Sequence, residues 1–93
     1  MADTETLSST AELTSVDLPW NVVVHDDPVN WIRYVTLILM KIFGYDLKRA
    51  TTLTMEVHDA GRSIVWSGER EKAEFYVQQL QTHQLKTTLE KVQ

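Results

Sequence analysis

Residues 20–30 read Trp20-Asn21-Val22-Val23-Val24-His25-Asp26-Asp27-Pro28-Val29-Asn30, and this stretch decides the fold. Three consecutive β-branched residues favour an extended backbone, and the run at 21–25 is bounded by Pro19 on one side and Asp26-Asp27-Pro28 on the other. That is a strand followed by a turn. Its apolar character is unbroken rather than alternating, which predicts a central strand buried on both faces.

Beyond the turn the pattern becomes helical. Asn30 is a candidate cap, and Trp31, Tyr34, Val35, Ile38, Leu39 and Ile42 recur at three- and four-residue spacing. Gly44 stands where a helix needs a left-handed last residue. Asp46 opens a second helix with Ala50, Leu53, Thr54, Val57 and His58 as its inner face, and Gly61 closes it. Residues 62–67 form a second strand, and Gly68 begins a turn. A third helix over 69–82 turns Ala73, Val77 and Leu80 inward with Tyr76 beside them. Leu85, Thr87 and Leu89 then alternate with Lys86, Thr88 and Glu90, the pattern of a half-buried edge strand. The order β-α-α-β-α-β does not alternate singly. It predicts an α+β fold, a three-stranded, mostly antiparallel sheet packed against three helices.

The 93 residues suffice for one small core. Residues 20–93 carry nine acidic and nine basic side chains, so the formal charge of −4 lies entirely in residues 1–19. That segment holds seven Ser or Thr residues and no aromatic. It cannot bury enough apolar surface to offset the entropy of ordering it, which predicts a disordered extension at 1–19 ahead of a core domain at 20–93. Arg33, Lys41 and Lys48 interrupt the apolar stretches, so no membrane span is expected. Residues 1–20 lack the basic start and apolar middle of a secretory signal. The absence of cysteine excludes disulfides and thiolate chemistry and makes the cytoplasm the default compartment. An acidic balance argues against nucleic acid as a partner.

Chemistry-bearing residues gather in three places: His25-Asp26-Asp27 after the first strand, His58-Asp59 at the end of the second helix, and the charged start of the third helix. Two histidines and several carboxylates are metal-ligand types, but no HxxxH or HExxH spacing is present. No serine stands in a strand-to-helix elbow with a base nearby. On spacing alone His58 also suits a helix C-terminus, where its charge meets the macrodipole, and Asp26-Asp27-Pro28 also suits ordinary turn chemistry.

The ordered set of motifs is more specific than any one of them. Val22 through Asn30, then Lys41-Ile42-Phe43-Gly44-Tyr45-Asp46, Ala50-Thr51, Glu56-Val57-His58-Asp59-Ala60-Gly61, Arg62 to Trp66, Glu69 to Glu74, and His83 to Glu90 resemble the ClpS adaptors over residues 20–91, in particular their actinobacterial branch. The resemblance implies a non-enzymatic adaptor, without a cofactor and monomeric. It would capture N-degron substrates by a free α-amino group and a first residue such as Leu, Phe, Tyr or Trp. It would hand them to the N-terminal domain of a Clp AAA+ unfoldase of the ClpA or ClpC type. The family's Asn-Asp-Asp is matched by His25-Asp26-Asp27, where a neutral His25 can accept a hydrogen bond from the ligand's ammonium group. His58 matches the family's ammonium-binding histidine. Asn30 falls on a family Thr, Ile32 on its gating Met and Val35 on a pocket Val. Thr54 replaces another Met, and Val57 and Leu85 match apolar pocket residues. Glu71 matches an acidic residue of the unfoldase contact, and Tyr76 stands where that contact has a Lys. The acidic first residues correspond to the family's N-terminal extension, which the unfoldase engages during delivery. The competing expectation is an interaction module similar to the C-terminal domain of the ribosomal stalk protein, which would have an exposed charged helix face and no ligand pocket.

The charge and composition of residues 1–17 predict amide hydrogen exchange at unprotected rates throughout that segment. Slow exchange there, measured by mass spectrometry, would contradict it.

Overall fold

The computed structural model describes residues 18–92. The order is β1 (Trp20–His25), α1 (Ile32–Phe43), α2 (Leu47–Ala60), β2 (Arg62–Gly68), α3 (Arg70–Thr82) and β3 (Thr87–Lys91). The strands form one sheet in the order β2-β1-β3, with both pairings antiparallel. The expectation for residues 1–17 lies outside the described residues. Among the described residues no helix is long and apolar enough to cross a membrane.

The three valines dictate this arrangement. Val22, Val23 and Val24 are 0, 0 and 1% exposed, which requires neighbours on both edges and both faces. Val22 and Val24 join the main core with Val35, Ile38 and Leu39 of α1, Ala50, Leu53 and Val57 of α2, Val65 of β2, and Ala73 and Leu80 of α3. Val23 is not part of that cluster. It is flanked in register by Ile64 and Thr88, where the ladder to β2 shifts between Val22 and Val23.

Several local expectations hold, and others shift by a residue or two. Asp46 caps α2 by accepting the Arg49 N–H at 2.8 Å, satisfying one of the orphan donors of the first turn. Gly61 ends α2 at φ +86°, a left-handed backbone that costs a side-chain-bearing residue energy. Asn30, by contrast, caps nothing. The residue preceding α1 is Trp31, without a side-chain cap, and it is 76% exposed rather than turned inward. The turn explains this. Asp27 Oδ1 accepts the Val29 N–H at 2.9 Å and Asp27 O accepts the Asn30 N–H at 3.0 Å, so Asn30 belongs to the turn and the helix starts later. Gly68 does not open a turn but ends β2, where the Trp66 indole lies so close that a Cβ would collide with it. Leu85 is buried, yet it precedes β3. Gln84 at φ +69° turns the chain first, and the Leu85 N–H reaches back to Leu80 O at 3.1 Å.

Leu39 is wholly buried at the centre of the helix layer. Leu39→Ala is expected to cost about 2–5 kcal/mol, the sum of lost transfer energy and the cavity left behind, read as a lower urea midpoint at unchanged slope.

Candidate functional site

The end of β1 and the end of α2 are joined by one hydrogen bond. The Asp26 N–H donates to Gly61 O at 2.9 Å, and on the other side the His25 N–H donates to Lys86 O at 2.8 Å. The acidic turn is thereby held between the C-terminus of α2 and the link into β3. The resulting cleft is lined by Val24, His25, Asp26, Asp27, Asn30, Ile32, Val35, Thr54, Val57, His58 and Leu85. All ten residues matched to amine binding and to the apolar pocket thus border one concavity. Val24 joins them without having been singled out. Its place was readable from strand alternation, since it faces the helices as Val22 does.

The cleft has two chemical halves. Val24, Val35, Val57 and Leu85 are 1–7% exposed and make an apolar floor. Thr54 sits among them at 2% exposure, with its hydroxyl satisfied inside the helix pair. Its Oγ1 donates to Ala50 O at 2.8 Å and lies 3.0 Å from Thr36 Oγ1. Ile32 is 40% exposed, at the rim. The polar half is the exposed Asp26, the half-buried Asp27 and the exposed His58 in the last turn of α2. Acceptors at the rim over an apolar floor suit a ligand that joins a cationic head to an apolar side chain.

His25 borders the cleft, and its ring is engaged at one nitrogen, Nε2, which lies 2.7 Å from Thr88 Oγ1. Alternation along β1 gives the reason: with Val24 facing the helices, His25 turns to the opposite side of the sheet. There it neighbours the ion pair of Arg62 and Glu90, 2.6 Å apart. The Glu90 carboxyl is held below its usual range, chiefly by the hydrogen bond from Arg62, with a smaller contribution from His25. Asn30 also has a different task from a helix cap, since its Nδ2 donates to Gln84 O at 2.9 Å and braces the cleft wall against the link before β3.

Glu71 and Tyr76 lie away from the cleft. Glu71 is exposed in the first turn of α3 and borders a hollow with Leu18, Pro19, Trp20 and Gly68. Tyr76 is half-buried, its ring 4.6 Å from Phe43, 4.9 Å from Trp66 and 5.7 Å from Phe75. This aromatic packing was not foreseen from the charge pattern of the helix. Among the described residues no three or more His, Cys, Asp or Glu are grouped to hold a metal ion.

Known proteins of similar sequence point to one family. The family model "ATP-dependent Clp protease adaptor protein ClpS" matches residues 16–89. The chain is similar to the ATP-dependent Clp protease adapter protein ClpS of Corynebacterium jeikeium, 47% identical over 85% of this chain and 78% of that one. It is likewise similar to the ClpS of Nocardia farcinica, 42% identical over 97% of this chain and 85% of the relative. With the ClpS of Streptomyces coelicolor the identity is 41%, over 94% and 91%. Among solved structures, Agrobacterium tumefaciens ClpS2 bound to L-phenylalaninamide shares the fold with a TM-score of 0.75 at 21% identity, covering 80% of this chain and 96% of that one. A family match across most of the folded residues and several relatives above 40% identity lead to one assignment: the chain belongs to the ClpS family, the adaptors of the ATP-dependent Clp protease, a family of adaptors and not of enzymes.

Proposed function

We propose that the cleft between the acidic turn and α2 captures the first residue of N-degron substrates and that the protein delivers them to a Clp AAA+ unfoldase. The observation that carries this reading is the convergence of Asp26, Asp27 and His58 over a floor of Val24, Val35, Val57 and Leu85. An α-ammonium group presents three donors, and leaving them unpaired when partly desolvated is costly. The two carboxylates and a neutral imidazole supply acceptors, and the floor takes the side chain. L-Phenylalaninamide, the ligand of the Agrobacterium tumefaciens relative, joins a free α-amino group to a benzyl side chain and carries no carboxylate. That is the chemistry the two halves of the cleft suit. The ribosomal-stalk-like reading calls for no such pocket, and the cleft counts against it.

Delivery requires a second face. Glu71, in the first turn of α3, is the candidate contact for the unfoldase's N-terminal domain. Tyr76 is the matched second position, but its ring already packs against Phe43 and Trp66, so a substitution there disturbs packing as well as any contact. In this reading the protein acts as a monomer in the cytoplasm, on substrates beginning with Leu, Phe, Tyr or Trp. Ile32 and Thr54, at the positions of the family's methionines, set the shape of the entrance and the interior.

Fluorescence titration with short labelled peptides tests the capture step. A Phe-first peptide with a free amine is expected to bind, and its acetylated form to lose binding because the charge and donors are removed. Val-first and Ile-first peptides are expected to bind about 1–3 kcal/mol more weakly, since branching at Cβ crowds the rim. His58→Ala is expected to keep the fold, because the residue is exposed, and to weaken binding by roughly 1.5–3 kcal/mol, the value of a hydrogen bond to a charged group. A His58→Ala protein that binds the free-amine peptide as tightly as the parent would remove the main support for this site.

A further inference from the structure

Beside the capture cleft lies a second groove, lined by Val29, Asn30, Trp31, Tyr34 and Gln84. Asn30 borders both concavities and forms their common wall. The groove is braced from beneath. Asn30 Nδ2 donates to Gln84 O at 2.9 Å, and Tyr34 Oη donates to His83 O at 2.7 Å, tying the start of α1 to the bend before β3. Its lining is nevertheless apolar and open to water, with Val29 80% and Trp31 76% exposed. Neither residue belongs to the core or packs against it. An indole and an isopropyl group side by side in solvent, on a fixed support next to a candidate binding cleft, need an explanation that packing does not supply.

We propose that this groove is a downstream subsite of the capture cleft, and that it takes an apolar side chain two residues behind the captured one. The inference rests on the reading that the cleft holds a peptide's first residue. Given that reading, the chain continues from the cleft mouth across its surroundings, and Asn30 makes the groove contiguous with that mouth. Alternation then chooses the residue. In an extended peptide successive side chains point to opposite sides, at about 3.3 Å per residue. With the first side chain directed into the cleft, the second points to solvent. The third returns to the protein surface about 7 Å further on.

The test compares three free-amine peptides labelled at a distant C-terminal lysine, beginning Phe-Ser-Ser, Phe-Ser-Leu and Phe-Leu-Ser, against the full chain by fluorescence anisotropy. Leucine at the third position is expected to tighten binding by about three- to tenfold, the yield of a partly buried aliphatic side chain, and leucine at the second by less than about twofold. The third-position gain should disappear in Trp31→Ser and shrink in Val29→Ser. Both positions are exposed, and serine at 31 is a favourable residue ahead of α1, so the thermal midpoint by circular dichroism should not fall below the parent value. Equal binding of Phe-Ser-Ser and Phe-Ser-Leu, or a gain that survives Trp31→Ser, would overturn the proposal while leaving the capture cleft standing. Failure of all three peptides to bind would overturn both readings together. Self-association that Trp31→Ser abolishes, with no third-position gain, would overturn it in favour of a second copy.

Discussion

Val22, Val23 and Val24 have to be removed from water on both faces of a strand whose edges are also both paired, and the rest of the molecule is arranged around that requirement. One face needs a helix layer, and α1, α2 and α3 supply it through Val35, Leu39, Val57 and Leu80. The edges need partners, and β2 and β3 supply them from opposite sides. A strand so enclosed has only its ends available for function. At one of those ends the chain places two carboxylates, and the backbone there is received by Gly61 O and Lys86 O. The acidic turn is fixed at that point as a consequence of where the central strand must stop.

The same constraint explains why a small domain can hold a cleft with opposed chemistries. Apolar floor residues are core residues, held by the burial that folds the protein. Polar rim residues sit on the turn and on the last turn of α2, beyond the core's edge. Thr54 marks the boundary: it is buried, and its hydroxyl is accommodated by Ala50 O and Thr36 rather than left to face the apolar interior.

Much of this was legible in residue order. The unbroken β-branched run located β1, period-3.6 spacing located the helices, alternation located the last strand, and Asp46 and Gly61 announced the limits of α2 because capping chemistry is local. The acidic turn and His58 were legible as a set only through resemblance, since each alone reads equally well as turn or helix-end chemistry. The features that stayed hidden depended on three-dimensional registration. The direction of the His25 ring follows from strand alternation carried one residue further than the valines. The loss of Asn30 as a cap follows from hydrogen bonds inside the turn, and its bond to Gln84 O joins residues 54 apart in sequence. The aromatic packing of Phe43, Trp66, Phe75 and Tyr76 draws on three elements, and no local pattern on α3 reveals it.

The position of Trp20 has a mechanical consequence. Residues 1–19 lead directly into β1, the strand with neighbours on both sides, and Pro19 O already accepts the Val92 N–H at 3.1 Å. Tension drawn along the chain from that end runs along the strand axis, while the ladder bonds to β2 and β3 lie across it. Both ladders are therefore loaded at once and in shear, with the force shared among many bonds. An edge strand pulled the same way would have one ladder to carry the load rather than two. The topology that buries three valines thus also gives this terminus two ladders to hold it.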